Sequence, residues 1–365
     1  MGLKELHGRA PQPGKFYRMR DFVLPVLFLA GCGLLTSPNA ARDLPEFEAK
    51  LESLRHELQI PGMSAAIANG QRVVWARGFG YANVELGVPA ADTTSYHLAS
   101  LTKTFASTIV MQLVEAGQLN LDAPVADFGI VLQSPGIVRV RHLLTHTSEG
   151  DPGSAFRYNG NRFGLLDQVI LRVSGESFGQ RLERLILQPL HLSHTAPNVL
   201  DAEAFGLAGF DRTLFERNLA QGYTPDGRSR QAYPSHFGTA AGLIASAPDV
   251  ATYSMAIDRN AFLRPDTQAE VFTAAVSTRG DTLPHGLGWF AQRVKGVRLQ
   301  WHYGYWTGIS ALIIRVPDRG LAFVLLANSD RLSSNTSLGA GDLLSSKPAR
   351  AFLDAFVFGK AVVPH

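Results

Sequence analysis

Apolar residues in the first part of the chain follow two different periods. Phe47, Leu51 and Leu54 recur every three or four residues, which is the spacing of a helix packed on one face. Two β-rich apolar runs follow at 63–68 and 72–81, and an Asn-Gly dipeptide, which favours a hairpin turn, lies between them. The pattern therefore predicts one helix that leads into a β-hairpin.

Further along the chain, strands enclose a helical centre. Residues 101–119 are apolar on most faces, so we expect a helix that is buried nearly all round. Near the C-terminus, the runs 298–302, 310–316 and 321–326 predict strands, and 348–358 predicts a closing helix. Strands at both ends predict an α+β fold, in which an antiparallel sheet is flanked by helices and carries a mainly helical lobe.

The N-terminal segment has the pattern of a signal peptide. Lys15, Arg18 and Arg20 precede the apolar run 22–30, which is closed by Gly31. A positive segment, a short apolar run and small residues at its end are typical of a secretory signal peptide. The apolar run is about half as long as the ~20 residues that a membrane-spanning helix needs.

Residues 29–32, with the sequence Leu-Ala-Gly-Cys, resemble the lipobox of bacterial lipoproteins. The resemblance implies that Cys32, the only cysteine, is acylated and becomes the mature N-terminus. We therefore expect a signal peptide over 1–31, a lipidated tether over 32–44 and one globular domain over 45–360. The alternative is an ordinary signal peptide with an incidental cysteine.

The lipobox also bears on the location of the protein. Gly33, rather than Asp, follows the cysteine, and in enterobacterial lipoproteins this implies sorting to the outer membrane. We expect an exported protein that its lipid anchors in the bacterial envelope, with the periplasmic face of the outer membrane favoured. The charged stretch before Met19 is unusual for a signal peptide, which makes Met19 a candidate for the true start.

The positive charge of the chain belongs to this leader. The formal net charge is +3, and residues 1–31 carry all of it, so the remainder is formally neutral. No basic patch elsewhere supports nucleic-acid binding, and no glycine-rich phosphate loop follows a predicted strand. We therefore expect no nucleic-acid partner and no cofactor, while the oligomeric state stays open.

Ser100 and Lys103 are the first candidates for chemistry. If Ser100 opens the helix predicted over 101–119, Lys103 lies one turn further and faces the same way. A serine hydroxyl needs a base within hydrogen-bond reach, and a lysine can serve when burial and the helix dipole lower its pKa. The Ser100 N–H at a helix start also favours half of an oxyanion hole. The alternative is a helix-capping serine with a solvated lysine.

Longer stretches around this pair resemble the serine β-lactamase-related superfamily, which includes class C β-lactamases, D-Ala-D-Ala carboxypeptidases, D-aminopeptidases and related esterases. The stretches are 60–62, 96–103, 140–148, 188–190, 241–249, 286–289 and 316–320. They follow the family's order across nearly the whole predicted domain. The resemblance implies a β-lactamase/transpeptidase-like fold, with Ser100 as the nucleophile and Lys103 as its base.

The family's second motif, Tyr-x-Asn, falls at Tyr158, and the resemblance assigns the tyrosine hydroxyl to proton relay. We expect nearby positive charge to lower the pKa of this hydroxyl. The third position of the motif, usually Asn, is Gly160 here, so Asn159 and Asn161 are the candidates that supply the missing amide to the substrate. The alternative is a tyrosine that only packs in a loop.

The third motif, usually Lys-Thr-Gly, is represented by a segment that begins at His302. The resemblance places His302, Gly304 and Tyr305 beside the substrate, with the Tyr305 N–H completing the oxyanion hole. An ordinary histidine has a pKa of about 6.5 and is cationic only in acid, so the fixed charge for a β-lactam carboxylate is weakened. The alternatives are that His302 orients Tyr158, or that it is a sheet-end residue without a role.

These residues predict a serine hydrolase that forms an acyl-enzyme with a small molecule or peptide. The altered motifs favour an ester or a D-amino-acid peptide over a β-lactam. The alternative is a catalytically silent, penicillin-binding-protein-like lipoprotein that binds or senses envelope components, and intact Ser100, Lys103 and Tyr158 argue against it. The spacing of His142 and His146 also fits a metal pair, but no cysteine accompanies them, so we expect helix-end hydrogen bonds and no metal.

We predict that membrane attachment depends on Cys32. A Cys32→Ser variant should lose palmitate incorporation and globomycin-sensitive processing, because lipoprotein acylation requires the thiol. Metabolic labelling and membrane fractionation of both proteins measure this. Unchanged labelling and attachment in the variant would show that the lipobox interpretation is wrong.

Overall fold

The computed structural model describes residues 38–197, 211–224, 230–231 and 237–359. Within these ranges, no helix is both long enough and apolar enough to cross a membrane. Cys32 and the predicted signal peptide lie outside the described residues, so lipidation stays a prediction.

Strands from both ends of the chain form one antiparallel sheet, as the sequence predicts. In chain order the strands are β1 (Gly62–Asn69), β2 (Arg72–Asn83), β3 (Val88–Pro89), β4 (Ser95–His97), β5 (Gly222–Tyr223), β6 (Arg230–Gln231), β7 (Ile244–Ser246), β8 (Phe290–Val294), β9 (Val297–Trp306), β10 (Ile309–Val316) and β11 (Leu321–Ala327). Seven of these described strands form the main sheet in the order β3-β2-β1-β11-β10-β9-β8. Because β1 pairs with β11 near its centre, the sheet is complete only when distant parts of the chain meet.

Helices cover both faces of the sheet, and short helices form the mainly helical lobe that the sequence predicts. The helices are α1 (Pro38–Glu57), α2 (Thr102–Glu115), α3 (Val140–Leu144), α4 (Gly160–Gly164), α5 (Leu166–Ser174), α6 (Phe178–Leu182), α7 (Gln188–Leu190), α8 (Arg212–Asn218), α9 (Ala247–Asp258), α10 (Pro265–Val271) and α11 (Lys347–Leu353). The lobe consists of α3 to α8 and follows α2 in the chain.

Two of the predicted helices differ in their bounds. α1 begins at Pro38, inside the segment 32–44 for which the sequence predicts a tether. α2 begins at Thr102, after a 3₁₀ turn over Ala99–Leu101. It stops before Gly117, because this glycine has a φ of +69°, a left-handed conformation that ends a helix.

The sheet buries apolar side chains on both faces, which explains why the sequence of β1 is mostly apolar. Met63, Ala65 and Ile67 pack in the cluster that contains α1 and α11, whereas Ala66 and Ala68 pack in the cluster that contains α2 and α9. Successive residues of a strand point to opposite faces, so a strand covered on both sides favours apolar residues at successive positions. The buried polar exception, Ser64, donates its hydroxyl to the Ala91 carbonyl oxygen at 2.7 Å.

The polar composition of residues 329–346 predicts a long surface loop, and the structure differs there. The segment contains three short 3₁₀ turns. Leu332, Leu338 and Leu343 are buried in the same cluster as α1 and α11. The few apolar residues of the segment therefore anchor it to the core.

We predict that Phe47→Ala destabilises the whole domain. The Phe47 ring makes edge contacts with the rings of Trp75, Phe323 and Phe356, at centroid distances of 6.0, 5.6 and 5.0 Å. Removing a buried phenylalanine side chain costs about 3–5 kcal/mol, so denaturant unfolding should show a loss of that size. The control is Val131→Ala, at a side chain that is 89% exposed, which should change the free energy of unfolding little.

Candidate active site

Ser100 lies in a strained turn at the start of α2. Ala99, directly before it, has a φ of +46°, a left-handed conformation that costs an L-residue about 1–2 kcal/mol. The Ala99 N–H donates to Nδ1 of His97 at 3.0 Å, and this hydrogen bond holds the turn. His97 thus lies next to the turn that carries Ser100. The strain presents Ser100, which is half-buried, at the head of the helix.

Lys103 is the nearest base to Ser100. Its Nζ lies 2.8 Å from the Ser100 Oγ and donates to the Ala240 carbonyl oxygen at 2.7 Å. The rings of Tyr158 and Phe163 lie close by, with centroids 5.3 and 5.5 Å from Nζ. The side chain is fully buried, and burial lowers the pKa of Lys103 to about 7. The amine can therefore be neutral in ordinary buffer, as a base for serine requires.

Tyr158 also lies in this site, but its pKa shifts in the direction opposite to the expected one. Burial raises the pKa of the Tyr158 hydroxyl well above its ordinary value, the nearby Tyr303 adds to the rise, and only Ser100 acts to lower it. The Ser100 effect is that of a side-chain hydrogen bond, which places the two hydroxyl groups next to each other. The expectation that positive charge lowers this pKa is therefore wrong, because removal from water disfavours the phenolate more strongly.

His302 is buried, which changes its expected role. Its Nδ1 lies 2.7 Å from the Tyr303 carbonyl oxygen, and a carbonyl only accepts, so Nδ1 carries a proton. Burial lowers the pKa of His302 well below its ordinary value, and positive charge on His285 or Lys103 would lower it further. The expectation that His302 becomes cationic in mildly acidic solution is therefore wrong. A neutral imidazole stands where the family usually has a lysine.

Two further imidazoles, those of His285 and His146, lie behind His302. The ring of His285 lies 5.9 Å from that of His302 and 4.9 Å from that of His146, and the His146 ring stacks on Tyr158 at 4.3 Å. Burial lowers the pKa of both His285 and His146. The Nε2 atoms of all three histidines are buried without a hydrogen-bond partner among the described residues. The cluster is therefore neutral, and a positive charge within it would be repelled by Lys103.

His142 and His146 each accept a backbone N–H at Nδ1. Nδ1 of His142 accepts from Arg139 at the start of α3, and Nδ1 of His146 accepts from Asn159, both at 3.1 Å. In the described part of the chain, no three metal-ligating side chains are grouped as a metal site would require. The helix-end hydrogen bond predicted for His142 is confirmed.

Gly304 lets β9 approach the nucleophile turn. A Cβ at position 304 would lie 2.1 Å from the Leu98 carbonyl oxygen, a distance that no side chain can occupy. Tyr305 follows on the same strand, with its side chain 48% exposed. The structure thus brings the third motif to the turn that carries Ser100, and the oxyanion role of the Tyr305 N–H stays a prediction.

The two asparagines beside Gly160 are not equivalent. Asn159 caps α4 with its side-chain oxygen and donates from Nδ2 to the Glu149 carboxylate at 2.8 Å, so its amide is already engaged. Asn161 is exposed. A Cβ at Gly160 would lie 3.8 Å from the Lys103 Nζ, so position 160 faces the base and carries no amide. An amide contact from Asn159 or Asn161 to a substrate stays a prediction.

Sequence reasoning missed the Ala240 carbonyl and His285. A backbone carbonyl has no side-chain signature, so nothing local marks Ala240 as a partner of Lys103. His285 directly precedes the stretch 286–289, and only the resemblance of that stretch to the family could have indicated it.

Comparison with known proteins agrees with this geometry. The family model described as Beta-lactamase matches residues 47–344, which is most of the chain. The chain belongs to the β-lactamase family. Members of this family are typically serine hydrolases, and the fold described above is the β-lactamase and penicillin-binding-protein fold.

Individual relatives are distant. Protein flp of Staphylococcus aureus (strain NCTC 8325 / PS 47) is 28% identical over 183 residues, which cover 39% of this chain and only 36% of that protein. Penicillin-binding protein 4* of Bacillus subtilis (strain 168) is 24% identical over 328 residues, or 76% of this chain and 70% of that protein.

Two solved structures are similar to this β-lactamase-family chain. The octameric penicillin-binding protein homologue from Pyrococcus abyssi has a TM-score of 0.71 at 26% identity, covering 85% of this chain and 79% of that one. A class C β-lactamase from Rhodobacter sphaeroides has a TM-score of 0.69 at 22% identity, covering 85% and 97%. The second likeness, at this identity, concerns the fold alone.

We predict that Gly304→Ala disrupts the site by displacing β9. The added methyl group meets backbone at Leu98, so the strand must move away from the Ser100 turn. Labelling of Ser100 by a fluorophosphonate should slow by roughly 100-fold, as expected when reacting groups shift by about 1 Å. The control is Gly164→Ala, where the new methyl group meets only the Ala240 Cβ at 3.6 Å and labelling should be retained. Equal labelling of the two variants would contradict this role for Gly304.

Proposed function

We propose that this β-lactamase-family protein is a serine hydrolase that forms an acyl-enzyme at Ser100. One observation carries the proposal: the Lys103 Nζ lies 2.8 Å from the Ser100 Oγ in a site whose burial lowers the pKa of the amine to about 7. A neutral amine has two N–H groups and one lone pair. Because the Ala240 carbonyl accepts one N–H, the lone pair is free to take the serine proton.

The proposed acylation step uses Lys103 as base and Tyr158 as acid. The Ser100 Oγ bonds to the substrate carbonyl carbon while its proton passes to Lys103, and the N–H groups of Ser100 and Tyr305 hold the oxyanion. When the intermediate collapses, the leaving group takes the Tyr158 proton, and the Lys103 ammonium returns a proton to Tyr158. The high pKa of Tyr158 supports this assignment, because the hydroxyl stays protonated until the leaving group needs a proton.

Deacylation repeats the chemistry with water. A water molecule attacks the acyl carbon, its proton passes to the Lys103 amine, and the Ser100 oxygen leaves and recovers that proton. Each cycle therefore consumes one water and releases an acid and an alcohol or amine, without a cofactor.

The preferred substrate in this proposal is an ester rather than a β-lactam, and a peptide that ends in a D-amino acid is the second candidate. The buried, neutral His302 offers no fixed positive charge for a substrate carboxylate. Gly160 offers no amide beside Lys103. Both features weaken the contacts that a substrate carboxylate needs, whether it belongs to a β-lactam or to the C-terminus of a D-amino-acid peptide. Attack on a neutral ester requires neither contact, so these two features favour the ester most.

We also propose that the enzyme works in the bacterial envelope, held there by a lipid on Cys32. The sequence supports this location through the lipobox-like residues 29–32 and the preceding apolar run. Substrates would then be small molecules or peptides within reach of the membrane surface.

We predict that hydrolysis of a short nitrophenyl ester requires Ser100 and Lys103 and rises with pH through about 7, because only the neutral amine accepts a proton. Ser100→Ala should abolish fluorophosphonate labelling, and Lys103→Ala should lower kcat/KM by about 100-fold or more, as for loss of a general base. The assay compares the ester, nitrocefin and a D-Ala-D-Ala peptide.

His142→Ala serves as the matched control, because His142 lies outside the Ser100–Lys103 contact and should keep the pH profile. Labelling that persists in Ser100→Ala would contradict the proposed mechanism. Faster turnover of nitrocefin than of the ester would contradict the proposed substrate preference.

A further inference from the structure

The carbonyl group that contacts Lys103 lies at the tip of a tight turn. Gly238 and Ala241 close this turn through two backbone hydrogen bonds, of 2.9 and 3.2 Å, which leave Thr239 and Ala240 at the tip. The Ala240 carbonyl oxygen accepts from the Lys103 Nζ at 2.7 Å. The position of the turn therefore sets the position of the amine.

Asp167 lies in the first turn of α5 and connects the turn at Gly238–Ala241 to the helical lobe. Its Oδ1 accepts the Thr239 N–H at 2.9 Å. Its Oδ2 lies against Gly238, since a Cβ at that glycine would be 2.5 Å away. The Thr239 hydroxyl adds only long contacts of 3.4 Å to the carbonyl groups of Phe163 and Gly164. Of the contacts that join Thr239 to the lobe, the one with the Asp167 carboxylate is therefore shorter than the two that its hydroxyl makes.

We propose that Asp167 is a positioning residue for Lys103, acting through the Thr239 N–H and the Ala240 carbonyl. The inference rests on the proposed function of Lys103 as the base for Ser100. Asp167 does not touch the reacting atoms. It fixes an acceptor for one N–H of the amine and so leaves the lone pair directed at the serine.

Loss of the carboxylate has a specific expected consequence. Thr239 is fully buried, so its N–H would lose its hydrogen bond without access to water. Because a buried unpaired N–H is costly, we expect the turn to shift to a position in which this group is hydrogen-bonded again. The Ala240 carbonyl would then leave the amine. Hydrogen bonds of a charged donor are stronger than those of a neutral one, so the Lys103 ammonium loses more than the amine does. The pKa of Lys103 should fall further, while the rate at high pH also falls because the lone pair is no longer aimed.

Other groups around Lys103 stay unchanged in this test. His146, His285 and His302 are close enough for Lys103 to act on their charge, and all three have lowered pKa values, while the ring of Tyr158 lies 5.3 Å from the amine. None of these four side chains forms a described hydrogen bond with Asp167, so replacing Asp167 leaves their contacts in place.

The experiment compares kcat, KM and the pH profile for a nitrophenyl ester in Asp167→Ala and Asp167→Asn. We expect Asp167→Ala to lower kcat by roughly 10- to 100-fold, as misplacement of a catalytic group does, with little change in KM and an acidic limb moved to lower pH. Asp167→Asn keeps an acceptor oxygen, so it should restore most of kcat. A folded Asp167→Ala variant with the parent kcat and acidic limb would overturn the proposal.

The matched control is Asp249→Ala. Asp249 lies in the first turn of α9 and accepts the His194 N–H at 2.9 Å and the Thr195 hydroxyl at 2.7 Å, so it is the same kind of clamp. Neither of the two clamped residues bonds to Lys103. Asp249→Ala should lower Tm without moving the acidic limb, and a limb shift equal to that of Asp167→Ala would overturn the specific link to Lys103.

If Asp167→Ala does not fold, the proposal can still be tested with a second variant and with a measurement that does not depend on activity. Asp167→Glu keeps the charge but adds one methylene, so it should displace the turn and also lower kcat, and full activity in it would count against the proposal.

Lysine ¹³C NMR reports the pKa of Lys103 directly, since the chain has seven lysines and Lys103→Arg assigns the resonance. A lower Lys103 pKa in an Asp167 variant supports the positioning link even if Ser100 proves unreactive, which separates failure of the proposed function from failure of this inference.

Discussion

The site depends on one constraint, the burial of the Lys103 amine against Ser100 without an acidic partner. Of the described residues, only neutral oxygens accept from this amine, those of Ser100 and the Ala240 carbonyl. An ammonium in such a place is costly, so the pKa falls to about 7. The neighbouring imidazoles add no negative charge, and the same burial keeps them neutral.

This constraint requires a rigid frame, because a buried amine is useful only when its lone pair meets the serine. The strained Ala99 turn fixes one partner, and β9 is held against that turn by the close approach of Gly304 to Leu98. The frame is the central sheet, whose strands come from both ends of the chain. Strain of about 1–2 kcal/mol at Ala99 is sustained because the surrounding packed structure fixes this conformation.

The same burial explains how this protein differs from the usual third motif of the β-lactamase family, in which a lysine takes the position of His302. A lysine in the third motif would bring a second charge beside Lys103, whereas His302 gives up its charge and keeps only a hydrogen bond to the Tyr303 carbonyl. Tyr158, unable to ionise in the same environment, stays a proton donor. The amine of Lys103, the phenol of Tyr158 and the imidazole of His302 can thus all be uncharged in this site. This is consistent with the proposed preference for an uncharged ester.

The sequence by itself determined those features of the fold and of the site that follow from local periodicity and spacing. The hairpin at Asn69-Gly70, the buried helix after Ser100 and the facing of Ser100 and Lys103 all depend on residues within one or two turns of each other. Tertiary structure decided the rest, because the sign of a pKa shift depends on burial that no short segment reveals. It reversed the expected shift of Tyr158 and removed the charge expected on His302. It also joined Asp167 to Thr239 through a backbone N–H, a group that every non-proline residue carries and that therefore leaves no mark in the sequence.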